Sequence, residues 1–241
     1  MTFPPHQLIR SKRKTIALVV KPDGSLVVRA PLRTSKAVIE DFVKKNTSWI
    51  ERKQAEALAA PTRPTKQYVD GATFPYLGTR YALEIVEELG VSARRRRSSD
   101  RRSPKLVTRP VLLDASGFKL AASHQRNAAS AFERWYREQA RQVLAERVNL
   151  FTAQYGFRYK GIRITSARTR WGSCSASGSL SFSWRLIQAP LAVVDYVVVH
   201  ELVHTVVHNH SKQFWQRVAT IMPDYHQHRR WLREHGRELL V

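Results

Sequence analysis

Apolar positions along this chain alternate in some stretches and recur at helical spacing in others, and the changes of period mark out its elements. Two β-branched runs, 15–20 and 25–30, flank Lys21-Pro22-Asp23-Gly24, whose Asp-Gly pair predicts a hairpin. From Ser35 the period is helical. Val38, Ile39, Phe42, Val43, Trp49 and Ile50 share a stripe that Pro61 and Pro64 end. Segments 72–76 and 79–86 read as a strand pair turned at Gly78. Segments 105–108, 111–114 and 118–121 add short strands, the last two joined by Asp114-Ala115-Ser116-Gly117. Residues 127–151 carry Ala131, Phe132, Trp135, Tyr136, Ala140, Val143, Leu144 and Val148 at helical spacing, with Gly156 as the stop.

The last third repeats this alternation of types. Runs 162–174 and 180–187, joined by Ser175-Ala176-Ser177-Gly178-Ser179, predict a hairpin. Residues 189–199 are almost wholly apolar and predict a buried helix entered through Pro190. Ser211 is an expected N-cap for a helix over 212–222, with Phe214, Trp215, Val218 and Ile221 as its core stripe. After Pro223 a final basic helix runs over 226–240. The pattern is α+β: a ββα module at 1–64, a short-strand region at 65–122, and a domain at 123–241.

Composition narrows the picture. At 241 residues and 43% hydrophobic, the chain can bury a sizeable core without cross-links. It has 41 Lys and Arg against 19 Asp and Glu, so its surface should attract nucleic acid, acidic proteins or anionic membrane, or else is simply a soluble positive surface. The lone cysteine, Cys174, excludes an internal disulfide and fits a reducing cytosol, and a packing role is expected for it. No apolar run reaches membrane-spanning length and no signal-like segment opens the chain, so the expectation is a cytoplasmic protein with no membrane partner. Arg94, Arg95, Arg96, Arg97, Arg101 and Arg102 form a cationic loop. It is a candidate for sequence-independent, salt-sensitive nucleic-acid contact, but lacks the interleaved aromatics of a base-stacking surface and reads first as a solvated loop.

The chemistry concentrates in His200-Glu201-Leu202-Val203-His204 and in the residues from Thr205 to His210. Two histidines four apart on a helix differ by only about 40° in direction and about 6 Å along the axis, so both imidazoles can reach one ion. Glu201 would face a water on that ion as general base. His208 lies about 12 Å beyond His200 on an unbroken helix, too far to share a tetrahedral shell. The helix must therefore end near residues 207–209, with Asn209 suited to terminate it and His210 as the nearest residue able to fold back. The His200 to His210 spacing matches H-E-x-x-H-x-x-G-x-x-H, except that Val207 holds the glycine position. His226, His228 and His235 are expected at the surface. Tyr225 and Tyr196 are candidate donors to a tetrahedral oxyanion, although packing explains both equally well.

The segments Thr169-Arg170-Trp171-Gly172-Ser173-Cys174, Trp184 to Pro190, Asp195 to His204, Asn209 to Trp215 and Met222-Pro223-Asp224-Tyr225 resemble those of the YgjP-like zinc metallopeptidases, relatives of the SprT and WLM zincins. Weaker echoes at 9–14 and 30–31 extend the likeness over most of the chain. The resemblance implies a zincin-like catalytic domain with one Zn2+ per chain held by His200, His204 and His210, with Glu201 as the base and a peptide or protein as substrate. The alternative from another class is a basic nucleic-acid-associated protein, with a structural zinc or with proteolysis confined to DNA-bound proteins. A structural zinc normally takes four protein ligands and has no use for Glu201, which favours the peptidase.

Overall fold

The computed structural model describes residues 7–21, 23–59, 66–89 and 109–240. The cationic loop at 94–102, the strand expected at 105–108 and the prolines at 61 and 64 lie outside the described residues. The chain gathers into two compact units, 1–64 and 65–241.

The first unit is a small sheet with two helices. Strand β2 (Ala17–Val20) pairs antiparallel with β3 (Leu26–Pro31) across the Asp-Gly turn, as the alternation predicts. Strand β1 (Gln7–Ser11), which no sequence signal marked, adds on the other side of β3 in parallel. Its residues are exposed throughout, so burial leaves no period in them. The long helix expected after Ser35 is two: α1 (Lys36–Lys45) and α2 (Thr47–Ala59). The break falls at Asn46, whose side-chain amide donates to the Phe42 carbonyl at 2.7 Å and closes the end of α1. Leu26, Val28, Ala30, Ile39, Val43 and Ile50 form the core of this unit, whereas Val38 stays exposed.

The second unit carries the chemistry. Its first sheet has the order β4 (Thr73–Tyr76), β5 (Thr79–Val86), β7 (Gly117–Ala121), β6 (Val111–Asp114). Leu77 and Gly78 turn β4 into β5, both at positive φ, in a two-residue hairpin. Leucine is sterically disfavoured there, and its N–H is held by the Ile187 carbonyl at 2.8 Å. A Cβ on Gly78 would lie 2.9 Å from the Pro190 Cα, so this hairpin tip sits against the residue that starts the next important helix. Helix α3 (Ala128–Tyr155) buries Ala128, Phe132, Tyr136, Ala140, Leu144 and Val148, every fourth residue, and ends at Gly156 in the left-handed region.

A second sheet has the order β8 (Gly161–Thr165), β10 (Ser179–Ser183), β9 (Gly172–Cys174). The hairpin predicted over 162–187 is therefore only half right. β9 and β10 pair antiparallel, but β8 runs parallel to β10 on its far side, and 184–188 is a buried 3-10 turn. Helix α4 (Leu191–Val203) comes next, buried along nearly its whole length, as its continuous apolar run requires. Helices α5 (Lys212–Ile221) and α6 (Tyr225–His235) close the chain. Strands β4 to β7, helix α3 and α4 share one hydrophobic core. No helix among the described residues is long and apolar enough to cross a membrane.

One polar contact fixes α4 against α3. Arg147 Nε donates to Asp195 Oδ1 at 2.6 Å and its terminal nitrogen to Oδ2 at 2.8 Å, a two-pronged pair that is mostly buried. Removing one partner strands the other in a partly desolvated place. Asp195→Ala should therefore lower stability by about 2 to 3 kcal/mol, read as a lower urea midpoint at unchanged slope. Replacing both residues together, Arg147→Met with Asp195→Leu, should cost less than Asp195→Ala alone.

Candidate metal centre

Helix α4 ends sooner than spacing alone suggests. His204 is already its C-cap, and Thr205, Val206 and Val207 turn back through backbone bonds to residues 202 and 203. Asn209 does not adopt the left-handed conformation. Its side chain instead accepts the Ser211 N–H at 3.2 Å, which bends the chain into α5 and turns His210 toward the helix it has left.

The three histidines meet. His210 Nε2 lies 3.0 Å from His200 Nε2 and 3.2 Å from His204 Nε2. Among the described residues this is the one group of three or more such side chains with ligand atoms close enough to hold a metal, all within 4.8 Å of one another. A tetrahedral shell with nitrogen at about 2.05 Å has edges of about 3.3 Å, so the spacing suits zinc. The tautomer suits it too. His204 Nδ1 lies 3.0 Å from the Val207 carbonyl, which can only accept, so Nδ1 carries the proton and Nε2 presents a lone pair. Burial first, then the neighbouring imidazoles, pushes His200 down to about 3, and burial likewise lowers His204, so both are neutral and able to coordinate near neutral pH. His200 Nδ1 is buried and has no hydrogen-bond partner among the described residues.

Phe214, fully buried in the first turn of α5, touches all three rings at centroid distances of 4.4 to 4.8 Å. Trp215 stacks on His210 at 5.7 Å. The sequence marks these two as core residues; Phe214 is fully buried and Trp215 partly so, and together they form a wall of the histidine site.

Glu201 is 5% exposed. Burial raises its carboxyl to about 7, against the pull of Arg170 and of the Cys174 backbone N–H. Cys174 belongs to β9, an edge strand, so the carboxylate sits beside a sheet edge. A Cβ on Gly172 would fall 2.5 Å from Glu201 Oε1. Only glycine lets β9 come this near, and the composition of the motif carries no sign of it. The Cys174 thiol is half-buried and raised by burial and by Glu201, which keeps it protonated and unreactive.

The remaining candidates are distributed around this centre. Tyr196, one turn before His200, packs edge-on to it at 5.9 Å and stacks with Tyr225 at 6.4 Å. Tyr225 in turn stacks on Trp215 at 5.4 Å. Burial raises Tyr196 to about 12, so its phenol keeps its proton. His228 faces Asp224 at 3.1 Å and His235 faces Glu238 at 3.5 Å, and neither joins the cluster. Loop 166–171, which leads into β9, is held by buried Arg185 donating to the Ser166 carbonyl and by the Ser183 hydroxyl donating to the Ala167 carbonyl.

Comparison with known proteins bears on the same residues. A family model described as "YgjP-like, metallopeptidase domain" matches residues 14–235. A search of the curated proteins finds no match. Among solved structures, the chain is similar to the metallopeptidase zymogen of Pyrococcus abyssi abylysin, at 18% identity and a TM-score of 0.36, over 39% of this chain and 96% of that one. The family match spans both compact units and contains the histidine cluster and Glu201, and the chain belongs to the YgjP-like metallopeptidase family.

Proposed function

We propose that this metallopeptidase is a zinc enzyme in which His200, His204 and His210 hold one ion and Glu201 is the general base. The observation that carries the reading is the convergence of three imidazole nitrogens from the end of α4 and the bend after it, with the buried Glu201 next in sequence to the first of them. Among the described residues three donors rather than four converge, which would leave a coordination position for water, as hydrolysis needs and a structural site does not. Zinc held there would supply Lewis acidity and a water activated near neutral pH.

The chain's own groups do the rest. An extended peptide can pair with the edge strand β9, which would present the bond to be cut alongside Glu201. Glu201 accepts a proton from the attacking water at a carboxylate oxygen. It then delivers that proton to the departing amine nitrogen, so the proton balance closes within the site. Tyr196 or Tyr225 donates a phenolic hydrogen bond to the oxygen on which charge develops. Neither hydroxyl hydrogen-bonds within the described residues, so both are free to do this.

Purified protein should carry one zinc per chain by mass-spectrometric metal counting. A chelator should abolish peptide cleavage, added zinc should restore it, and His210→Ala should lose the ion. Glu201→Gln should keep the zinc and lose about 10³-fold in kcat; cleavage undiminished in that variant would refute the assignment. Gly172→Ala should fold and bind zinc normally but lose about 10²-fold in kcat/KM, because the new methyl displaces Glu201. Of Tyr196→Phe and Tyr225→Phe, the one that removes the oxyanion donor should lower kcat by about 10² with little change in KM. If both variants keep full kcat, neither tyrosine has that role.

A further inference from the structure

Strand β10 alternates Ser179, Leu180, Ser181, Phe182, Ser183. Leu180 and Phe182 are fully buried in the core, so the serines share the opposite face. The register extends that face across the sheet. Arg163 on β8 lies opposite Ser181, and Ser181 lies opposite Ser173 on β9. These three residues line a cavity of about 220 Å³ with Arg170, Thr165 and Gly172. Gly172 is also the residue whose missing Cβ makes room for Glu201, so the thickness of one strand separates cavity from carboxylate.

The lining is cationic and rich in hydroxyls. Among the described residues neither Arg163 nor Arg170 is in an ion pair, and the hydroxyls of Ser173 and Ser181 make no hydrogen bond. No acidic side chain lines the cavity. Two guanidinium groups and two uncommitted hydroxyl donors match the acceptor-only oxygens of an anion. A second cleft, of about 450 Å³, is lined by Trp215, which packs on His200 and His210, and its charged lining is Lys212 and Arg229. The surroundings of the site are thus positive on both sides, in a chain whose net charge is +22.

We propose that the cavity on the serine face of β10 is a substrate subsite for an acidic side chain, and that the enzyme cleaves acidic segments of peptides or proteins. This rests on the peptidase reading above. A peptide paired with β9 alternates its side chains, and every second one falls on the face that carries Ser173 and the cavity. At about 220 Å³ the cavity has room for one carboxylate side chain.

Binding can be measured without turnover on zinc-loaded Glu201→Gln protein. Calorimetry would compare peptides identical except for Glu, Gln or Lys at one scanned position. The Glu peptide should bind roughly tenfold or more tightly than its Gln counterpart at one position, and the advantage should shrink with salt. It should vanish in Arg163→Gln with Arg170→Gln at unchanged zinc content. If that pair fails to fold, Arg163→Glu alone should shift the preference toward the Lys peptide. Equal affinities at every position, or an advantage that survives the substitutions, would overturn the subsite. So would a loss that falls on a single-stranded oligonucleotide and spares the Glu peptide. Cleavage by the wild-type enzyme, assayed separately on neutral peptides, tests the peptidase reading, so a failure of one is distinguishable from a failure of the other.

Discussion

Three imidazole nitrogens at 3.0 and 3.2 Å are an unfavourable arrangement unless something positive lies between them, and the rest of the fold is built around keeping them there. A neutral ring has one N–H. His204 commits its own to the Val207 carbonyl, so its Nε2 can only accept. His210 Nε2 then faces two neighbours with at most one proton of its own. A cation satisfies all three lone pairs at once, which protein hydrogen bonds in this geometry do not. Protonation is no substitute, because burial pushes His200 and His204 toward the neutral form.

Rings that gain little from one another must be held by what surrounds them. Phe214 presses against all three and is itself fully buried, so none can swing away without opening the core. On the other side, α4 is enclosed along most of its length, and the Arg147–Asp195 pair fixes its position on α3. The Leu77–Gly78 hairpin tip rests on Pro190, where α4 begins. Strands far away in sequence therefore set the height of the helix, and with it the position of His200 relative to the bend that brings His210 home.

What could be read from the chain divides along the same line. His200, Glu201 and His204 are legible because helical geometry is local, and His210 because a helix too long for a shared ion must stop. Where it stops was not legible: the turn at His204 depends on backbone bonds to residues 202 and 203 and on Asn209 accepting from Ser211, not on an Asn in the left-handed region. The parallel pairing of β8 with β10 was hidden for a related reason. Both segments have strand-like composition, and two apolar runs joined by a Ser-Gly loop look like one hairpin whether the partner is the adjacent run or half of it. Gly172 carried no signal as a site residue, since its importance lies in a side chain it lacks and in a neighbour 29 positions on.

Glu201 shows why these non-local contacts matter to the chemistry. In open water its carboxyl would be ionised well below neutrality, a base too weak to take much of a proton. Burial under β9 drives it up to about 7, while Arg170 and the Cys174 N–H each restrain the rise. Both restraints come from the stretch around β9, the same edge on which a peptide would pair. A peptide that paired there and took the Cys174 N–H would remove one of the two restraints and favour the proton-bearing form of the carboxyl. Substrate pairing and proton affinity would then be linked through a single backbone donor, and β9 approaches Glu201 this closely only because position 172 is glycine.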